Sequence, residues 1–185
     1  MKKRTFLMIG ALIVLVCNLI FNTGEKLYAS SVKITKFPNF TTSDLDGKQV
    51  NQNIFKNNKL TMVNIWGTFC GPCLREMPEL GELNKEYSKE GFAIVGIVID
   101  TLNQDGSIDK GQVELAKKIV KETKADYLHL LPSDDLNEGK LKYVQYIPET
   151  VFVDENGNVV GESFIGSRSK KDWIEIIDKY LEEIK

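Results

Sequence analysis

Two cysteines separated by two residues, Cys70-Gly71-Pro72-Cys73, follow an apolar run and open a segment with helical character. The apolar run at residues 60–66 is too short for a helix and predicts a buried strand. Backbone N–H groups and the dipole at a helix start favour an anion, so we expect a lowered pKa for the Cys70 thiol. Such a thiol is both a usable nucleophile and a good leaving group. The junction of strand and helix therefore favours thiol–disulfide exchange.

Length, charge and cysteine count limit the classes of protein to which this chain can belong. The chain has 185 residues, which suits one domain with an N-terminal addition. Its net charge of −2 provides no basic surface for nucleic acid. Cys17 lies in the N-terminal apolar stretch, so only Cys70 and Cys73 belong to the folded part, which excludes a scaffold of several disulfides. His129 is the only histidine, and we expect a structural role for it and no metal site.

The first residues predict an export signal, with segment 1–29 as a signal peptide or uncleaved membrane anchor and 30–185 as the folded domain. Met1-Lys-Lys-Arg4 is basic and residues 5–21 are nearly all apolar. That apolar length falls between a signal-peptide core of about 7–15 residues and a spanning helix of about 20. Cleavage after Ala29 and retention as an anchor both stay open. In either case the basic end stays in the cytoplasm and the domain is extracytoplasmic.

Export also affects whether the cysteine pair is interpreted as a structural disulfide or as a redox-active pair. Disulfides form readily outside the cytosol. A bond between Cys70 and Cys73 would close so short a loop that it would add little stability as a structural link. A redox-active pair is therefore the favoured interpretation.

The predicted elements run β-α-β-α-β, then a β-hairpin, then a helix. Before them we expect a short strand within 31–40 and a hairpin around Asp46-Gly47. Ser169, with Asp172 three residues on, predicts the cap of the last helix. The remaining predictions are strands at 60–66, 92–99, 127–131, 150–153 and 159–165, helices from residue 70 and near 113–120, and helical turns at 140–146. This order predicts an α/β fold with a central mixed β-sheet flanked by helices.

A longer pattern surrounds the cysteines, Asn64-Ile-Trp66-Gly-Thr-Phe-Cys70-Gly-Pro-Cys73-Leu-Arg-Glu76-Met-Pro78, and Ile147-Pro148-Glu149-Thr150 precedes a later strand. Together they resemble the TlpA/ResA-like branch of the thioredoxin superfamily, whose members are exported, often membrane-tethered thiol–disulfide oxidoreductases. The resemblance covers roughly residues 33–184. It implies a thioredoxin fold with an N-terminal β-hairpin and a central helical insert after Asp100.

The resemblance assigns the catalytic roles. It implies that Cys70 is the attacking nucleophile, exposed at the helix start, and that Cys73 is the more buried resolving thiol. Gly71 and Pro72 would fix the tight turn and tune the reduction potential. Glu76 would assist proton transfer near the thiols, with a solvated helix charge as the alternative.

The resemblance also assigns residues to substrate binding. Trp66 and Phe69 would flank the site, with simple core packing as the alternative for Trp66. Ile147 and Pro148 match a cis-proline loop that turns the Ile147 backbone toward an incoming peptide. At Asn64, thioredoxins carry a buried Asp. Asn cannot take a proton, so acid–base help would come from Glu76 or water.

The function implied is an exported disulfide reductase supplied with electrons by a membrane thiol carrier. Its partners would be exported protein disulfides: apocytochrome c, a methionine sulfoxide reductase or misoxidised proteins. We expect a monomer with no cofactor beyond the Cys70–Cys73 disulfide. A disulfide-forming oxidase with the same residues and a non-catalytic redox-sensing or docking module stay open as alternatives.

Overall fold

The computed structural model describes residues 34–184. The predicted export segment lies outside these residues, and no helix within them is long and apolar enough to cross a bilayer. The strand predicted within 31–40 is wrong for its described part. There Lys36 forms only an isolated antiparallel bridge with Asn158.

The predicted N-terminal hairpin is present. Strand β1 (Thr41–Ser43) pairs antiparallel with β2 (Gln49–Asn51). At the turn the Asp44 carboxylate accepts the N–H groups of Asp46 and Lys48, each at 2.9 Å. Gly47 has a φ of 83°, which a glycine adopts without the strain that a side chain would bring. A 3₁₀ helix, Gln52–Asn57, follows.

A five-stranded mixed sheet forms the centre of the domain. Its strands are β3 (Leu60–Trp66), β4 (Phe92–Val98), β5 (Leu128–Leu130), β6 (Glu149–Asp154) and β7 (Val159–Ile165), in the spatial order β5-β4-β3-β6-β7. Strand β3 runs parallel to β4, and β4 runs parallel to β5. The later strands reverse, so β3 pairs antiparallel with β6 and β6 with β7. The mixed sheet predicted from the order of elements is confirmed.

In the described part of the chain, four α-helices accompany the sheet: α1 (Gly71–Glu86), α2 (Lys110–Thr123), α3 (Asp134–Gly139) and α4 (Lys170–Glu183). Helix α2 is the central insert that follows β4. The predicted capping box of α4 is confirmed, since the Ser169 side chain accepts the Asp172 N–H and Asp172 accepts the Ser169 N–H.

The region before β6 differs from its prediction. Its helical structure begins at Asp134 rather than at residue 140, and a 3₁₀ turn, Leu141–Tyr143, follows. The Ser133 hydroxyl accepts the Leu136 N–H at 3.4 Å and caps α3. Leu136 is fully buried in the core and provides the apolar contact of this polar helix.

Alternation along β3 separates two layers of the core. Val63 and Ile65 face one layer, and Leu60 and Met62 face the other. The first layer is closed by Phe37, Phe40, Phe55 and Leu136, and the second by side chains of α1 and α4: Leu80, Leu83, Trp173, Ile177, Tyr180 and Leu181. Every residue of β3 is buried, as expected for a central strand covered on both faces.

Candidate active site

The two cysteines lie where α1 begins, at the carboxyl end of β3. Cys70 is the N-cap residue of α1, and its sulfur accepts the Cys73 N–H at 3.2 Å. The sulfurs are joined in a disulfide with a Cα–Cα distance of 5.3 Å. Gly71 and Pro72 occupy the first positions of the helix, where Pro has no hydrogen bond to lose.

The exposure of Cys70 differs from the expectation. Cys70 is 5% exposed and Cys73 is 0% exposed. Cys73 is the more buried of the two cysteines, as predicted, but Cys70 is nearly buried rather than exposed. Both cysteines pack in a third apolar cluster with Trp66, Met77 and residues of α2. The low exposure of Cys70 therefore restricts the access of an incoming sulfur.

Phe69 and Ile147 form an apolar surface beside the disulfide. Phe69 is 72% exposed, an unusual position for a large aromatic side chain. Its ring and the Ile147 side chain lie together over Gly67, where an added Cβ would come within 3.0 Å and 3.2 Å of them. The Ile147–Pro148 peptide is cis, as predicted, and the Pro148 carbonyl accepts the Gly166 N–H at 2.9 Å. Binding of substrate by Phe69, Ile147 and Pro148 stays a prediction.

Glu76 is buried one turn beyond Cys73. It is 3% exposed, which excludes the alternative of a solvated helix charge. Asn64 Nδ2 donates to its Oε1 at 3.1 Å, and the Arg168 N–H donates to its Oε2 at 3.2 Å. Asn64 Nδ2 also lies 3.1 Å from the Thr150 hydroxyl, so this amide links β3, α1 and β6.

Burial dominates the acid–base behaviour of Glu76. It raises the pKa of the carboxyl from 4.5 to about 6, against the hydrogen bonds from Arg168 and Asn64, which favour the ionised form. The indole of Trp173 also lowers this pKa, although its Nε1 has no acceptor within hydrogen-bond distance among residues 34–184. Glu76 can therefore hold or release a proton close to neutral pH.

Trp66 is buried in the same apolar cluster as the two cysteines. It is 0% exposed, and its Nε1 donates to His129 Nδ1 at 3.2 Å. Since Nδ1 accepts, Nε2 carries the proton and donates to the Ala125 carbonyl at 3.0 Å. Burial lowers the pKa of His129 to about 4, so the ring is neutral at physiological pH. His129 is structural, as predicted, and the position of Trp66 favours core packing.

Asp100 supports the loop before the cysteines, a role that our sequence analysis did not assign. Its two carboxylate oxygens accept the Thr68 N–H at 3.1 Å, and Oδ2 also accepts the Thr68 hydroxyl at 2.5 Å. Asp100 directly follows β4, the parallel neighbour of β3, and the carboxyl ends of parallel strands meet at one edge. The predicted pairing of these two strands was therefore the sequence signal that could have identified Asp100.

Arg168 was also missed, because it contacts Glu76 across 92 residues of sequence. As for metals, no group of three or more His, Cys, Asp or Glu side chains within residues 34–184 is placed to hold an ion.

Comparison with known proteins places this site in a family. The Redoxin family profile matches residues 33–172. Thiol-disulfide oxidoreductase ResA of one Bacillus cereus strain is 28% identical over 189 residues, covering 100% of this chain and 99% of the relative. ResA of another strain of that species, Bacillus cereus (strain ATCC 10987 / NRS 248), is 30% identical over 149 residues, covering 80% of this chain and 75% of the relative.

A solved structure agrees with the sequence relatives. The thiol:disulfide interchange protein of the thioredoxin family from Chlorobium tepidum TLS superposes with a TM-score of 0.66 at 26% identity, covering 82% of this chain and 99% of that one. The names of the sequence relatives and of the solved structure agree with a Cys70–Cys73 disulfide at the junction of β3 and α1. The chain belongs to the Redoxin family and is a TlpA/ResA-like thiol–disulfide oxidoreductase of the thioredoxin superfamily.

Proposed function

We propose that the protein is an extracytoplasmic disulfide reductase that acts through the Cys70–Cys73 dithiol as its only redox group. The observation that carries the proposal is the arrangement at the start of α1. Cys70, the less buried of the two cysteines, caps the helix, and the buried Glu76 carboxyl lies one turn beyond Cys73. A nucleophile, a resolving thiol and a proton acceptor then follow one another along a single rigid helix.

The reaction runs through a mixed disulfide. The Cys70 thiolate bonds to one sulfur of a substrate disulfide, and the other substrate sulfur leaves as a thiolate. The Cys73 thiol then loses its proton to the Glu76 carboxylate and attacks the Cys70 sulfur. The second substrate thiolate departs, and the Cys70–Cys73 disulfide remains. Two electrons have passed to the substrate, whose thiolates take up protons from Glu76 and water.

The apolar surface of Phe69 and Ile147 suits a polypeptide substrate. An extended peptide next to the cis Ile147–Pro148 bond can form strand-like hydrogen bonds with the backbone there. Phe69 then covers the apolar side chains next to the substrate cysteine, since its ring is largely exposed in the absence of a partner. Gly71 and Pro72 set the reduction potential through the geometry of the turn.

The N-terminal sequence and the family support the proposed location and partners. The basic and apolar segment before residue 30 directs the domain out of the cytoplasm, as an anchor or a cleaved signal. A membrane thiol carrier then returns the disulfide to the dithiol. Apocytochrome c, an exported methionine sulfoxide reductase and misoxidised proteins are the proposed substrates of the monomer.

Insulin reduction with dithiothreitol tests the assignment of the nucleophile. We expect the full-length chain to accelerate insulin precipitation, and Cys70→Ser to abolish the acceleration because Cys73, the other cysteine within residues 34–184, is fully buried. Cys17→Ser is the matched control and should retain the activity. Activity that persists in Cys70→Ser would refute the role of Cys70.

Trapping in the producing cell tests the function and the direction. Cys73→Ala removes the resolving thiol, so partners should accumulate as mixed disulfides on Cys70, and mass spectrometry identifies them. Substrate proteins together with a membrane thiol carrier would support the reductase. Recovery of a disulfide-generating membrane protein in place of a thiol donor would support the oxidase, and no linked partner would support the docking module.

A further inference from the structure

The loop between β7 and α4 contacts two separate parts of the active site. At one end the Gly166 N–H donates to the Pro148 carbonyl at 2.9 Å. Two residues later the Arg168 N–H donates to Glu76 Oε2 at 3.2 Å. This short stretch of backbone therefore links the proposed peptide-binding loop to the buried proton acceptor.

The Arg168 side chain holds that loop in its shape. Its Nη1 donates to the Gly166 carbonyl at 3.0 Å and to the Ile165 carbonyl at 3.4 Å. Its Cζ lies 4.7 Å from the ring centre of Phe164 and 5.3 Å from that of Trp173. A planar guanidinium can stack and donate in this way, whereas an ammonium provides only a point charge.

The guanidinium also leaves a positive charge beside Glu76. Within residues 34–184 it forms no ion pair with a carboxylate. Among the described residues, the other polar groups that act on Glu76 are neutral: Asn64 from β3, Trp173 from α4 and the Tyr127 phenol before β5. Arg168 is the cation that acts on this carboxyl, through both its backbone N–H and its charge.

We propose that Arg168 is a positioning residue for disulfide exchange, whose guanidinium clamps the β7–α4 loop so that this loop holds the Glu76 carboxylate and the Pro148 carbonyl together. The inference rests on the proposed function for its link to catalysis. The clamp itself is a property of the folded chain and is measurable without a substrate.

Three variants of the full-length chain separate the clamp from simple charge. Arg168→Met keeps an apolar stem over the rings but removes the donors and the charge. Arg168→Lys keeps the charge and removes the planar fork. Lys171→Met, at an exposed position of α4, removes one cation from the same neighbourhood and serves as the control.

Carboxyl ¹³C NMR of the disulfide form reports the protonation midpoint of Glu76. We expect Arg168→Met to raise that midpoint by about half a unit to one unit, a three- to tenfold gain in proton affinity. The Gly166 amide should also exchange its hydrogen faster, because the loop opens more often. Arg168→Lys should restore the midpoint in part but not the protection of Gly166. Lys171→Met should match the unchanged protein in both measurements.

Several results would overturn the clamp. One is an Arg168→Met midpoint and Gly166 exchange equal to those of Lys171→Met, and another is complete rescue of both by Arg168→Lys. Insulin reduction then tests the link to catalysis, where Arg168→Met should raise KM and shift the pH profile. If the unchanged chain reduced no insulin, the proposed function would fail, whereas the NMR and exchange results would still decide the role of Arg168.

Discussion

Glu76 and His129 are both buried ionisable residues, and burial moves their pKa values in opposite directions. It raises the pKa of Glu76 to about 6 and lowers that of His129 to about 4, since the neutral form is favoured in each case. Glu76 therefore binds more protons in the folded chain, and His129 binds more in the unfolded chain. As pH rises, the contribution of Glu76 to stability falls and that of His129 grows.

Replacing Glu76 by Gln should remove the pH-dependent contribution of Glu76 to stability. The folded protein gives up its contribution from Glu76 as pH rises from about 4.5 to about 7, a loss of about 2 kcal/mol. Relative to the unchanged disulfide form, Glu76→Gln should gain that much stability over the same range. Urea unfolding at several pH values measures the difference. Parallel stability curves for the two proteins would show that Glu76 titrates normally.

The buried pair Lys140–Glu149 connects α3 to the first residue of β6, next to Pro148. Lys140 Nζ donates to Glu149 Oε1, and both side chains are almost completely buried. Removing one member leaves the other charge buried without a partner, which costs far more than losing an exposed pair. This ion pair therefore fixes the position of the segment that precedes the cis-proline loop.

Lys140→Met should lower the free energy of unfolding by about 3–5 kcal/mol at pH 7. The matched control is Lys142→Met, whose ammonium is half-exposed in an i,i+4 pair with Glu138 and should change stability by about 0.5 kcal/mol or less. Denaturant unfolding of both variants provides the comparison. Equal losses of unfolding free energy in the two variants would mean that the buried pair stabilises the fold no more than the exposed pair.

At β4, the lack of a side chain at Gly96 allows the Trp66–His129 hydrogen bond to form. A Cβ there would clash with His129 Nδ1 and would lie 3.0 Å from Trp66 Nε1. Gly96→Ala must therefore displace one ring, and we expect a loss of about 1–3 kcal/mol from overpacking. Thermal unfolding measures it, and Trp fluorescence should shift as the indole moves. An unchanged melting temperature would contradict this packing.

Across the whole molecule, local patterns predicted the elements and missed the contacts between distant ones. Apolar runs indicated β3 and β4, and Ser169 with Asp172 indicated the start of α4, because each signal lies within a few neighbouring residues. The role of Glu76 came from the family resemblance. The hydrogen bonds of Asp100 with Thr68 and of Arg168 with Glu76 join residues 32 and 92 positions apart. The parallel pairing of β3 and β4 could have indicated that Asp100 lies near Thr68, but no periodicity or spacing in the sequence indicates the contact of Arg168 with Glu76.

The lack of a sequence signal for contacts between distant residues also explains the errors at the edge of the fold. Alternating apolar residues suggested a strand within 31–40, but Phe37 and Phe40 instead pack with Phe55 as an aromatic cluster under the sheet. Their burial satisfies the hydrophobic pattern without a ladder of strand hydrogen bonds. For Cys70, the position at the helix start was predicted, whereas its low exposure depends on packing by Trp66, Met77 and α2.

The central claim is that the Cys70 sulfur is the nucleophile of a reactive dithiol. It is tested most directly by the rate of iodoacetamide alkylation of each cysteine in the reduced, folded full-length chain as a function of pH, with the sites resolved by mass spectrometry. We predict that Cys70 reacts well before Cys73, with a midpoint below the value of about 8.5 typical of a free thiol. A Cys70 that reacts no faster than Cys73, or whose midpoint lies at or above that of a free thiol, would contradict the account.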